Sequence, residues 1–170
     1  MDTLFTPWRY SYITQTPVTP ATPENEDCFF CAAARDPHAV EAPEGLVVAK
    51  TEHHLVMLNL HPYASGHLMV APLAHFASPQ EEDEAARAEF WPLVLKAQRL
   101  LAGAYAPHGF NLGMNLGKPA GAGVPGHFHF HLVPRWTGDT NFMTVLGEVR
   151  LVPEDPREAR GRLRALFQGA

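Results

Sequence analysis

One segment constrains the fold more than any other: His127-Phe-His-Phe-His-Leu-Val-Pro-Arg135. Strict alternation is the period of a β-strand, whose successive side chains point to opposite faces. His127, His129 and His131 then share one face. Phe128, Phe130 and Leu132 share the other, which must be the core face. The pattern predicts a strand from His127 to Val133, stopped by Pro134. Three imidazoles in a row gain little from packing, and the regular alternation with phenylalanine disfavours a merely solvated strand. The chain must therefore build a sheet that buries one side of this segment and uses the other.

The remaining elements follow from local signals. Leu46–Lys50, His54–Asn59 and Gly66–Pro72 read as short strands, the last two joined as a hairpin by the 60–65 connection. Ser78-Pro-Gln-Glu81 carries a capping serine, proline at the first helical position and a capping-box glutamate. Phe90, Leu93, Val94, Ala97, Leu100 and Leu101 follow at helical spacing. Pro92 inside this pattern is expected to kink or split the helix. Gly109–Leu116 is a fourth strand, and residues 156–168 form a terminal helix. Sixteen prolines and 13 glycines in 170 residues indicate many turns and no long helical bundle. Strands cluster around one long helix without βαβ alternation. The predicted class is α+β, with a five-stranded mainly antiparallel sheet, a long helix and a C-terminal helix. The expected organisation is an extended N-terminal arm over 1–27 and a single domain over 28–170. Thr-Pro pairs stretch the arm, and Trp8-Arg9-Tyr10 with Tyr12 is expected to pack on the body or on a second subunit.

A net charge of −5, with 13 Lys and Arg and no dense basic run, argues against nucleic acid as a partner. No stretch has the length of a membrane-spanning helix, and the N-terminus has no apolar signal region. Two cysteines do not make a secreted disulfide framework, so the expected compartment is the cytoplasm.

Two chemistries compete for the histidine row. Three histidines could hold a metal, as in open zinc sites. Alternatively, one imidazole could act as a nucleophile supported by its neighbours. Same-face residues on a strand lie about 6.5–7 Å apart, so three convergent ligands from one strand would be awkward. The preceding loop, Gly117–Gly126, is glycine-rich, and its amides can approach an anion closely. A glycine loop beside imidazoles suits phosphoryl or nucleotidyl transfer. Cys28-Phe-Phe-Cys31 is a weak signal by itself; a zinc site needs two more ligands, while a redox pair and two idle thiols are its rivals. An alanine-rich turn is expected after it. His53, His54 and His61 are read as surface residues at strand ends, His38 and His108 as turn residues, and Glu81–Glu84 as a solvated first helical turn. Trp136 is left between stacking on a base and packing at an interface.

His127-Phe-His-Phe-His-Leu-Val133 resembles the signature of the histidine triad (HIT) family at every position. Asn59–Pro72, with Gly66-His67 before an apolar run, resembles the family's strand–turn–strand. Together they cover roughly residues 28–136. Pro7–Tyr10, Gly109–Gly117, and Pro134-Arg-Trp136 with Gly138–Phe142 resemble the bacterial diadenosine tetraphosphate phosphorylase branch. The resemblance implies a HIT-like fold in which His129 attacks the α-phosphate of a nucleotide and forms a covalent nucleotidyl-histidine. It implies that His131 contacts phosphate or protonates the leaving group and that His67 buttresses the pocket. Asn59 corresponds to the ribose-binding position, and Asn115, Gly121 and Gly123 join His131 as nucleotide- and phosphate-binding positions. Gly123 stands where many relatives carry Gln or Ser, which leaves the choice between phosphate and water as acceptor open. By the same resemblance Cys28, Cys31, His75 and His127 form a structural zinc site, and the protein is a homodimer or higher homo-oligomer. The implied function is phosphorolysis of diadenosine tetraphosphate to ATP and ADP. The alternatives are hydrolysis of dinucleoside polyphosphates or phosphoramidates, and a non-catalytic nucleotide sensor.

Overall fold

The structure is a computed structural model that describes residues 28–42, 45–139 and 154–169. The expected arm over 1–27, with its aromatic cluster, lies outside the described residues. The elements are α1 (Phe29–Arg35), β1 (Val47–Lys50), β2 (His54–Leu58), β3 (Leu68–Pro72), α2 (Glu84–Tyr105), β4 (Gly109–Met114), β5 (Phe130–Arg135) and α3 (Pro156–Gln168). The strands form one sheet in the order β1-β2-β3-β5-β4, every neighbouring pair antiparallel. The α+β class, the sheet and both helices agree with expectation.

β2 and β3 form the expected hairpin, with Val56 opposite Val70 and Leu58 opposite Leu68. All five residues of each strand are buried. They read as continuous apolar runs because both faces of the sheet are covered. On one face Val56, Leu58, Leu68, Val70, Phe130 and Leu132 pack against Leu93, Val94, Ala97 and Leu101 of α2 and Leu163 of α3. On the other, Leu55, Met57, Met69 and Ala71 meet Cys28, Phe30 and Cys31. The residues after Cys28 form a helix of seven residues, not the expected turn. Three consecutive alanines, the strongest helix formers, account for the difference.

The long helix also starts later than its capping box predicts. Ser78 caps only a single 3-10 turn over Pro79–Glu81. The α-helix begins at Glu84, where the Asp83 carboxylate accepts from the Ala86 N–H at 2.8 Å. Between them Glu82 is extended and buried, contrary to its reading as part of a solvated turn. The reason is His54, likewise fully buried and not at the surface as expected. Its Nε2 lies 2.8 Å from Glu82 and its Nδ1 2.8 Å from Glu89. This clasp ties β2 to the start of α2. Pro92 neither splits nor ends α2; it lies on the exposed side, where water can satisfy the carbonyl it leaves unpaired.

Replacing His54 with alanine strands Glu82 in the interior and is expected to cost about 3 kcal/mol, the lower end for breaking a buried ion pair. Glu89→Gln costs less, because that carboxylate is 24% exposed. Urea denaturation of the two variants checks the order; equal stabilities would refute the clasp.

Among the described residues no helix is long and apolar enough to cross a membrane.

Candidate active site and metal centre

The histidine row forms as the alternation requires, although β5 is shifted two to three residues toward the C-terminus. It spans Phe130–Arg135, so His127 and His129 precede it. The ladder with β3 runs only from Val70–Phe130 to Leu68–Leu132. Pro72 has no N–H to extend it, and its carbonyl instead takes the His127 side chain. Past Leu132 the ladder with β3 has ended, so β5 tolerates Pro134 within the strand. Phe128 and Phe130 still pack against Phe90 of α2, with ring centroids 6.2 and 5.7 Å away. On the opposite face the rings run in sequence: Phe30 lies 5.0 Å from His127 and 4.9 Å from His129, and His129 lies 4.8 Å from His131.

Hydrogen bonds fix which nitrogen of each ring is free. His129 Nδ1 lies 3.0 Å from the His127 carbonyl. A carbonyl only accepts, so Nδ1 carries the proton and Nε2 keeps its lone pair. His67 Nδ1 accepts the Tyr63 N–H at 3.1 Å. Its proton is therefore on Nε2, 2.9 Å from His131 Nδ1, to which it donates. His131 must then carry its own proton on Nε2. An electron pair on His129 and a proton on His131 thus sit side by side. His129 is held below the usual histidine range by burial, partly offset by its bond to the His127 carbonyl. Burial, with the nearby His129, pushes His131 down to about 4. Both rings are neutral at pH 7.

Gly66 sets His67 in place. Its φ is +73°, and a Cβ there would stand 2.9 Å from the Tyr105 ring. Only glycine fits that conformation against α2. His67 is fully buried and donates to His131, which borders the cavity.

The remaining predicted residues converge on one cavity. Asn59, Asn115, Gly121, Gly123, His129 and His131 all border it. A Cβ built on Gly123 meets nothing within 4 Å, so that position leaves open space in the wall. Tyr63 and Phe29 also border the cavity, and sequence reasoning missed both. Their one signal is position: Phe29 follows Cys28, and Tyr63 lies midway between Asn59 and His67. Trp136 lies with its ring 6.5 Å from Tyr105.

The four predicted metal ligands meet behind this row. His127 Nδ1 lies 3.4 Å from Cys28 Sγ and 3.5 Å from Cys31 Sγ, and His75 Nδ1 lies 3.1 Å from Cys31 Sγ. All four ligand atoms fall within 4.8 Å of one another. A tetrahedron with metal–sulfur bonds of about 2.3 Å and metal–nitrogen bonds of about 2.0 Å has sulfur–nitrogen edges near 3.5 Å, so the set fits. His127 Nε2 donates to the Pro72 carbonyl at 2.9 Å, which turns the Nδ1 lone pair toward the thiols. Burial drives this ring down to about 4, which keeps it in the neutral, ligating form. The cluster could hold one metal ion.

The HIT domain family matches residues 41–138. An AP-4-A phosphorylase of Mycobacterium tuberculosis is 35% identical over 94% of this chain and 81% of its own. Among solved structures, a zinc-bound histidine triad family protein from Mycobacterium smegmatis superposes with a TM-score of 0.60 and 27% identity, covering 85% of this chain and 98% of that one. A histidine triad nucleotide-binding protein from Sulfolobus tokodaii has a TM-score of 0.65 and 26% identity, covering 84% and 93%. The histidine row, the antiparallel sheet and these matches together make the chain a member of the histidine triad family.

Proposed function

We propose that the protein transfers a nucleotidyl group from a dinucleoside polyphosphate to inorganic phosphate, and that diadenosine tetraphosphate is converted to ATP and ADP. One observation carries this reading: the bond from His129 Nδ1 to the His127 carbonyl leaves an unprotonated Nε2 in the cavity beside a protonated His131 Nε2. In the first step the His129 Nε2 lone pair forms a bond to the α-phosphorus. The bridging oxygen leaves with its electrons as the terminal phosphate of ATP, an anion that needs no proton, and accepts a hydrogen bond from the His131 Nε2–H. In the second step a phosphate oxygen attacks, the phosphorus–nitrogen bond breaks, and its electrons return to Nε2. The positive charge on the intermediate imidazole is stabilised through the Nδ1–H held by the His127 carbonyl. Asn59 binds the ribose, while Asn115 and the amides around Gly121 and Gly123 hold phosphate oxygens. Zinc is the ion for Cys28, Cys31, His75 and His127, where it supplies a fixed anchor and no reacting group. The same reading takes the protein as a cytoplasmic homodimer; edge strand β4, with Leu112 40% exposed, is a surface suited to a second copy. The 35% identity to an AP-4-A phosphorylase supports the choice of substrate and acceptor.

A product assay tests it. ADP and ATP appearing from diadenosine tetraphosphate only when phosphate is present is the expected result. AMP and ATP in equal amounts regardless of phosphate would make water the acceptor and overturn the phosphorylase assignment. Tight nucleotide binding without turnover of any substrate would overturn catalysis altogether.

A further inference from the structure

The turn between β2 and β3 holds a side chain that neither proposed step uses. The backbone N–H of Tyr63 is what His67 Nδ1 needs, and any residue except proline could supply it. The Tyr63 ring makes contacts of its own. Its centroid lies 4.6 Å from that of His67 and 5.8 Å from that of His131, inclined 28° to the latter. It is 48% exposed and borders the same cavity as His129 and His131. The ring therefore lies against the two imidazoles and forms part of the cavity wall beside His131.

The chemistry of that wall matters because a polyphosphate chain carries several negative charges. Among the described residues, no lysine or arginine borders the cavity. Among the described residues that border the cavity, the donors able to meet the polyphosphate chain are neutral: amides, the His131 Nε2–H and a phenol.

We propose that Tyr63 selects the leaving group, its phenol O–H donating to a non-bridging oxygen of the polyphosphate chain that departs past His131. This rests on the reading of His129 as nucleophile and of His131 as hydrogen-bond donor to the leaving oxygen. Because Tyr63 stacks on His131, whatever leaves beside that histidine meets the tyrosine next. A nucleoside triphosphate is long enough to do so. The single nitrogen expelled from a nucleoside phosphoramidate ends at His131. No covalent bond changes at Tyr63, and its proton stays on the phenol oxygen.

The test compares the ratio of kcat/KM for diadenosine tetraphosphate to that for adenosine 5′-phosphoramidate, in wild type and in Tyr63→Phe. The variant keeps the ring on both imidazoles and removes one oxygen atom. The ratio is expected to fall about tenfold, as for loss of one hydrogen bond to a charged group. Tyr63→Ala gives the same change in ratio plus a loss common to both substrates. A ratio that stays within about twofold in Tyr63→Phe, whether both rates fall together or neither moves, overturns the proposal while wild-type turnover still supports nucleotidyl transfer. A wild type that turns over neither substrate overturns that reading and this proposal with it.

Discussion

His129→Ala is expected to lower turnover of diadenosine tetraphosphate about 10⁵-fold, on the scale of losing the nucleophile in other covalent enzymes. The size follows from the division of labour around that ring. His131 can donate a hydrogen bond and the loop amides can hold phosphate, but no other described ring with a free nitrogen borders the cavity. His67 is fully buried behind His131, and His127 has one nitrogen on a carbonyl and the other among the thiols. Neither can substitute as attacking group. The ring fills space beside Phe30 and lies at the cavity wall, so the variant should fold and still bind nucleotide. Rapid quenching of wild type in denaturing alkali, where the phosphorus–nitrogen bond survives, should trap a chain heavier by one nucleotidyl group, absent from the variant. Residual activity within about tenfold of wild type would remove His129 from the role of nucleophile.

The double variant Cys28→Ser with Cys31→Ser should lose the metal and a large part of the stability. Wild type prepared without chelators is expected to carry about one zinc per chain, and the variant less than about a tenth. The thiols join α1 to His75 and to His127, three segments that share few other polar contacts. Losing a structural metal of this type should cost at least about 3 kcal/mol, lowering Tm by about 10 °C in a chain of this size. The effect should also reach the active site. The backbone carbonyl of His127 sets the tautomer of His129, so a loosened His127 should lower kcat about tenfold with little change in KM. Wild-type protein holding less than a tenth of an equivalent of zinc would refute the metal assignment, whatever the stability of the variant.

The histidine strand was legible because its signal is local. Alternation at a period of two assigns faces to His127–Leu132 wherever the strand sits in the sheet, and the Phe90 contacts of Phe128 and Phe130 reflect it. The hairpin of β2 and β3 was legible from two short apolar runs and the short 60–65 connection between them. The four ligands Cys28, Cys31, His75 and His127 come from three distant segments, and no spacing rule joins them; they were found through family resemblance. The start of α2 was misread because two caps compete within six residues. Ser78 has the better motif, yet Asp83 begins the α-helix since Glu82 turns inward to His54. His54 itself was read as exposed. A histidine at a strand end carries no local mark of burial, and its partners lie 28 and 35 residues away.

By itself, then, the sequence determined the elements with strong local signals: the histidine strand, the hairpin and the apolar face of α2. Periodicity reports which side of an element avoids water, and that depends only on neighbours along the chain. Tertiary structure alone decided the protonation pattern that gives the site its chemistry. The acceptor for His129 is a carbonyl whose direction depends on the path of the backbone. The proton on His131 depends on His67, 64 residues earlier, and through it on the Tyr63 N–H. Which ring nitrogen holds the proton is settled by the partner that folding brings to the other one, and no residue type or spacing encodes that partner.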